Sequence, residues 1–250
     1  DRRQRQMCIR DSMNTGKLFV IPSLFSIESD KNLIPSYIIN YLNQINEFIV
    51  ENEKTSRAFL RKILNVKSED NFIFHAIGKH SKRENLNKII NNCHKGINIG
   101  LLSDLGCPSI ADPGSNVVQI AHQNNIKVIP LIGPSSIFLA LMASGLNGQN
   151  FTFHGYLPVN NIDLSKKIKE IEKKSIKSSQ TQIFIETPFR NNKVFSFLIK
   201  YLRSSTKLCV AKNITLNDEV IYTQKVSQWK KNNYNFNKKL CVFLLNGSND

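Results

Sequence analysis

The chain has 250 residues and carries 34 Lys and Arg against 19 Asp and Glu, a formal net charge of +15. Its length suffices for one large domain or two small ones, and a hydrophobic fraction of 41% is ordinary for a globular protein. No apolar run approaches the roughly eighteen residues a membrane-spanning helix needs. The N-terminus lacks the apolar centre of a secretory signal, and the five Cys (Cys8, Cys93, Cys107, Cys209, Cys241) include no C-x-x-C pair. That spacing argues against a zinc site and against a disulfide framework, and fits a reducing cytoplasm. The positive charge has two readings: a partner rich in phosphate, or the Lys, Asn and Ile excess of an AT-biased genome.

Residues 1–15 stand apart, with Arg2, Arg3, Arg5 and Arg10 in a chain that otherwise prefers Lys. They are expected to be a non-native or disordered leader, with Met13 a candidate start. From there to residue 148, short apolar runs alternate with helical patterns. Residues 18–21, 48–50, 72–75, 97–102 and 128–131 read as strands, being short and rich in β-branched or aromatic residues. Residues 35–42, 54–64, 82–94, 116–125 and 134–144 read as helices, with Pro35 and Pro134 suiting a first turn and Gly145 a stop. Such alternation predicts a parallel sheet with crossover helices.

After Gly145-Leu146-Asn147-Gly148 the pattern changes. Strands are expected at 151–154, 182–185, 208–211, 220–223 and 240–245, with substantial helices only at 164–177 and 192–202. The short interval 213–218 predicts an antiparallel pair. The expected fold is therefore α/β in two lobes: a parallel α/β lobe over 16–148 and an α+β lobe with a mixed sheet over 149–250.

Two loops carry most of the chemical information. Residues 102–115, Leu-Ser-Asp-Leu-Gly-Cys-Pro-Ser-Ile-Ala-Asp-Pro-Gly-Ser, follow a strand and lead into a helix. In an open α/β sheet such a loop lies at the carboxyl end of a strand, where these folds hold ligands. Asp104 and Asp112 are acid and base, metal ligands or hydrogen-bond anchors; no other closely spaced oxygen donors accompany them, which argues against a metal. Asp112 precedes Pro113-Gly114 and suits capping and turn-setting, whereas Asp104 at the strand end suits a ligand. The second loop, Pro130-Leu131-Ile132-Gly133-Pro134-Ser135-Ser136, offers hydroxyls and backbone N–H groups at a helix start.

Other motifs are open to two readings. Glu51-Asn52-Glu53-Lys54-Thr55-Ser56-Arg57 either faces the same crevice or is a capped, solvated helix start. Arg190 either takes a phosphate or pairs with Glu186. His154 is site or core, and the lysines of 166–177, 230–231 and 238–239 are a binding face or a solvated one. Phosphate-loop, dinucleotide, zinc-protease and nucleophile-elbow motifs are absent.

Ser103-Asp104-Leu105-Gly106-Cys107-Pro108-Ser109-Ile110-Ala111-Asp112-Pro113-Gly114 followed by the Gly133-Pro134-Ser135-Ser136 loop resembles the tetrapyrrole methylase superfamily. Phe153-His154-Gly155-Tyr156-Leu157-Pro158 and Ile185-Glu186-Thr187-Pro188-Phe189-Arg190 follow in the matching order. More narrowly the chain resembles the ribosomal RNA small subunit methyltransferase I branch, and within it a Bacteroidetes-type subgroup of uncharacterised methyltransferases. The resemblance runs over about residues 16–246. It implies a two-lobed fold, a homodimer in most members, that binds S-adenosylmethionine between its lobes and, in the small-subunit branch, methylates a ribose 2′-hydroxyl of the RNA. Composition and motifs add the expectation of a cytoplasmic protein without metal or membrane.

By position, the resemblance places Asp104, Gly106 and Cys107 on the methionine side of the cofactor, with Ser135, Ser136, Ile185 and Ala211 holding the rest. It names no base; Glu51 and Glu186 are candidates. The chain departs from the family in Ile21-Pro22-Ser23-Leu24-Phe25-Ser26, which lacks the usual glycines, and in an acidic segment with one extra residue before Thr55. Both departures bear on the acceptor. A tetrapyrrole or other small-molecule methyltransferase, and a non-catalytic homologue that binds the cofactor or RNA, are the alternatives.

Overall fold

The computed structural model describes residues 15–66, 71–78 and 82–247. Residues 1–14 of the expected leader, with Cys8, and His80 lie outside the described residues. The chain divides into two compact units, one ending at Pro134 and the other beginning at Ser135. The division falls before the Gly145–Gly148 punctuation, so the helix expected at the end of the first lobe belongs to the second.

In the first unit, β1 (Leu18–Ile21), β2 (Glu47–Val50), β3 (Ile73–Ala76), β4 (Ile99–Leu102) and β5 (Val128–Pro130) form a sheet of order β3-β2-β4-β1-β5. Every pairing in it is parallel. The helices are α1 (Tyr37–Leu42), α2 (Glu53–Leu64), α3 (Arg83–Ile90) and α4 (Ser115–Gln123), and a 3-10 turn, Asn91–Lys95, continues α3. β1, β2 and β4 are buried almost throughout, as expected of strands covered on both faces.

Helix α2 shows how local sequence sets an element. Asn52 caps it by accepting from the Lys54 and Thr55 N–H groups, and Asn65 ends it in the left-handed region. Phe59, Leu60 and Ile63 recur at helical spacing and sink into a core with Phe48, whose ring packs against Phe72 and Phe74. Burying one such side chain contributes about 1.5–3 kcal/mol.

Strand register decides where the loops start. Ile21 and Val50 both pair with Leu102, so β1, β2 and β4 end level. Pro22, Glu51 and Ser103 therefore leave the sheet together at its carboxyl edge. β1 and β4 are neighbours whose crossovers depart in opposite directions, which makes this edge the switch point of the sheet.

The second unit holds β6 (Phe151–Tyr156), β7 (Thr181–Glu186), β8 (Lys207–Lys212), β9 (Val220–Lys225) and β10 (Cys241–Asn246) in the order β6-β7-β10-β8-β9. Only β6 and β7 are parallel, and β8 and β9 are antiparallel as their short connection predicts. Its helices are α5 (Ser136–Ser144), α6 (Asn161–Ser178), α7 (Asn191–Tyr201) and the single turn α8 (Val226–Trp229). α5 packs on the strands of this second sheet, and Ser144 O accepts from the Thr223 hydroxyl of β9. Neither Pro35 nor Pro134 lies inside a helix; each precedes the N-cap residue, Ser36 and Ser135 respectively.

Helix α6 buries Leu164, Ile168, Ile171 and Ser175 and turns Lys166, Lys169, Lys173, Lys174 and Lys177 to solvent. Lys167 and Lys174 both reach Glu170. The helix's lysine cluster is thus its solvated face.

Candidate functional site

Three strand ends assemble the first unit's polar centre. From the β4 end, Asp104 stands half-buried, and the Thr55 hydroxyl of α2 donates to its Oδ1 at 2.7 Å. The same hydroxyl lies 3.0 Å from Asn52 O, but the shorter contact to a charged acceptor is the stronger one. The Asp104 N–H points to Glu51 Oε2 at 3.4 Å. Within residues 51–57, Asn52 caps the helix and Glu53 pairs with Arg57, as in a capped helix start, while Glu51 and Thr55 bond to Asp104.

The glycine-free turn after β1 is part of the same assembly. Ser23 N–H donates to Gly106 O at 2.8 Å, its hydroxyl donates to Ser103 O at 3.0 Å, and the Ser103 hydroxyl donates to Gly106 O at 2.9 Å. No residue of 22–26 has a positive φ, so the turn needs no glycine. Gly106 itself has φ +72°, and a Cβ there would meet the Phe25 ring at 3.1 Å. Cys107 Sγ lies 3.5 Å from Pro134 O, which ties the first loop to the second.

Asp112 has a different task. Its Oδ1 accepts from Ser109 N–H at 2.6 Å and from Gly114 N–H at 2.8 Å. Those bonds hold a loop in which Ser109 and Ala111 take left-handed backbone. Asp112 sets the turn but does not cap α4, whose N-cap is Gly114.

Burial pushes the Glu51 carboxyl above its ordinary value, the nearby Asp112 charge adds to the rise, and the Asp104 N–H partly offsets it. Asp112 is raised as well, chiefly by burial and against the pull of its two N–H donors. Leu105, Ile110 and Ile132, on the loops that follow β4 and β5, are exposed apolar residues. No group of three or more His, Cys, Asp or Glu among the described residues is arranged to hold a metal ion.

In the second unit Ser135 is the N-cap of α5, its carbonyl accepting from Leu139 N–H, and Ser136 opens the helix. Ile185 on β7 and Ala211 on β8 both pair with Val242 of β10, so the sheet sets them one strand apart on either side of it. Glu186 is buried, accepts from Thr187 N–H at 2.8 Å and pairs with Arg190 at 3.1 Å. Arg190 is thereby engaged, and it also donates to Pro158 O at 2.9 Å. His154 is half-buried against Gln182 Oε1 at 2.7 Å, and burial lowers its pKa. Thr55 and Ser23 appear in the sequence only as members of longer segments, with no role of their own; the signals for Thr55 are its place after a strand end and within the family's acidic segment.

The fold class is borne out among solved structures. The methyltransferase CobJ superposes with a TM-score of 0.60 at 12% identity, covering 93% of this chain and 95% of that one. The sequence also matches the family described as Tetrapyrrole (Corrin/Porphyrin) Methylases over residues 31–229. The protein named Ribosomal RNA small subunit methyltransferase I from Buchnera aphidicola subsp. Schizaphis graminum is 31% identical over 243 residues, 95% of this chain and 81% of that protein. Its namesake from Vibrio cholerae serotype O1 is 31% identical over 178 residues, 70% of this chain and 60% of that protein. The chain belongs to the tetrapyrrole methylase family of S-adenosylmethionine-dependent methyltransferases, in the branch that includes the ribosomal RNA small subunit methyltransferase I proteins.

Proposed function

We propose that the chain methylates RNA of the small ribosomal subunit at a ribose 2′-hydroxyl, acting in the cytoplasm as a homodimer. The observation that carries this reading is the 31% identity, over 95% of the chain, to a protein named for that RNA. The +15 charge suits a phosphate-rich substrate.

The first unit's residues fit S-adenosylmethionine by their chemistry. The Asp104 carboxylate is an acceptor for the cofactor's ammonium, held in place by Thr55. The exposed apolar side chain of Leu105, next to Asp104 in sequence, suits the cofactor's apolar parts. Gly106 and Cys107 complete this half, and Ser135, Ser136, Ile185 and Ala211 are assigned to the remainder by the family resemblance. When bound, the cofactor supplies an electrophilic methyl on a sulfonium, open to in-line displacement. The protein's share is to position the acceptor and exclude water.

Of the two candidate bases we favour Glu51. Its carboxyl is desolvated, which moves its pKa toward the working range of a general base. Glu186 is bound to Arg190 and to its own turn. Glu51 accepts the 2′-hydroxyl proton as the ribose oxygen takes the methyl.

Incubation with isotopically labelled cofactor and small subunits from cells lacking the gene tests the reading. Label is expected in the subunit's RNA, at a linkage resistant to alkaline hydrolysis. Label on a base would overturn the ribose assignment, label only on a small molecule would overturn the RNA assignment, and no cofactor binding at millimolar concentration would overturn both.

A further inference from the structure

The turn between β7 and α7 presents Phe189 with 75% of its surface exposed, on a backbone that is unusually well tied down. Arg190 N–H closes the turn on Thr187 O, and the Arg190 guanidinium spans from Glu186 to Pro158 O. On the other side Lys238 N–H donates to Pro188 O. The wholly buried Asn191 amide donates to Phe236 O at 3.1 Å and to Lys239 O at 2.7 Å, and Asn192 Oδ1 accepts from Phe236 N–H. Two other segments of the second unit, one at Pro158 and one at Phe236 to Lys239, are thus bonded to a turn whose tip is aromatic. Pro188 at the second position sets the turn, and Phe189 at the third carries its large apolar ring out to solvent.

Phe189 is not an isolated apolar residue. Val159, 68% exposed, lies on the segment joined to the turn, and Lys193 Nζ reaches Val159 O at 3.4 Å. The face around them is positive. Asp218 is taken by Lys239 at 2.9 Å and by Lys212 at 3.7 Å, and Glu186 by Arg190. Lys193 and Lys238, both exposed, stand in excess of these pairs.

We propose that Phe189 is a stacking platform for an unpaired nucleobase of the substrate RNA, with Lys193 and Lys238 neutralising the flanking phosphates. A rigid exposed ring amid lysines is what single-stranded RNA recognition requires, because every base has a stacking face and every linkage a charge. The proposal rests on the RNA reading above and adds to it the residue that orders the substrate strand.

Fluorescence anisotropy of the full chain with a labelled single-stranded oligoadenylate, and with an abasic oligonucleotide of equal length, tests it. Phe189→Ala is expected to weaken oligoadenylate binding about ten-fold, leave abasic binding and cofactor affinity unchanged, and raise KM for small subunits without lowering kcat. Phe189→Trp is expected to restore binding. Replacing Lys193 and Lys238 together by Ala should weaken both oligonucleotides equally and reduce the salt slope by about 1.4, near 0.7 for each phosphate contact. Wild-type oligoadenylate binding by Phe189→Ala overturns the platform, as does a defect confined to intact subunits, which would mark a ribosomal-protein contact. In either case methylation of subunit RNA by the wild type leaves the proposed function standing. A wild-type chain that binds the cofactor but neither binds nor methylates RNA overturns both.

Discussion

The Thr55 hydroxyl donates to the Asp104 carboxylate across 49 residues of sequence, at 2.7 Å. That bond fixes the one acidic side chain assigned to the cofactor. Thr55→Val should weaken S-adenosylmethionine binding about ten-fold, the equivalent of roughly 1.5 kcal/mol for a hydrogen bond to a charged group. Asp104→Ala should weaken it further. Asp112→Asn should instead lower thermal stability, by about 1–3 kcal/mol for a weakened double anchor, with a smaller effect on affinity. Calorimetry and thermal unfolding of the same three variants separate the roles; equal affinity losses for Asp104→Ala and Asp112→Asn would contradict them.

Glu51 makes a prediction in which activity and stability move in opposite directions. Its folded pKa lies above its unfolded value, mainly through burial and then the Asp112 charge. Protonation is therefore favoured in the folded state, and stability is highest below the unfolded pKa and falls as pH rises through the folded one. Glu51→Gln removes that penalty. The variant should melt higher than wild type at pH 8, converge with it at pH 4, and lose the acidic limb of kcat/KM together with most of its activity. A pH series of melting curves and initial rates checks both halves.

Gly133 lies against the ring of Pro22, the first residue after β1. A Cβ at position 133 would come within 2.4 Å of Pro22 Cβ, an atom that no rotamer change can move aside. Gly133→Ala should destabilise the first unit by about 1–3 kcal/mol, the usual cost of overpacking. Pro22→Ala leaves that Cβ in place and should not rescue it, whereas Pro22→Gly should in part. Denaturant unfolding of the single and double variants measures this coupling.

Thiol accessibility gives a further check. Burial raises Cys93 to about 11 and Cys241 to about 12, and Cys209 is also raised. Thiols so buried are slow nucleophiles. In a Cys8→Ser background, Cys107 should react first with a disulfide reagent, and saturating S-adenosylmethionine should slow it. Mass spectrometry of the labelled chain identifies the modified residue.

Much of the fold was legible in local pattern. All ten strands and the main helices lie within a few residues of their expected positions, because apolar runs and caps such as Asn52 and Asn160 are local signals. The unit boundary was less legible. Gly145 is a strong stop, with φ +67°, but it ends a helix and not a unit. What α5 packs against depends on β8, β9 and β10, whose sequences lie far downstream.

The division of labour within the loop 102–115 was partly legible too. Asp104 at a strand end and Asp112 before Pro-Gly differ in local context, and the structure keeps them different. Glu51 and Glu186, by contrast, look alike in sequence, each following a strand. Only one has an arginine four residues on that folds back to it.

By itself the sequence determined the alternation of elements, the parallel sheet and the loop that belongs to a methylase, since periodicity, turn residues and motif order are written along the chain. The tertiary structure decided which strand ends leave the sheet level. It thereby brought Ser23 to Gly106, Thr55 to Asp104 and Ile185 to the level of Ala211. Those relationships arise from crossover connections and register, which join residues dozens of positions apart and leave no trace in local composition.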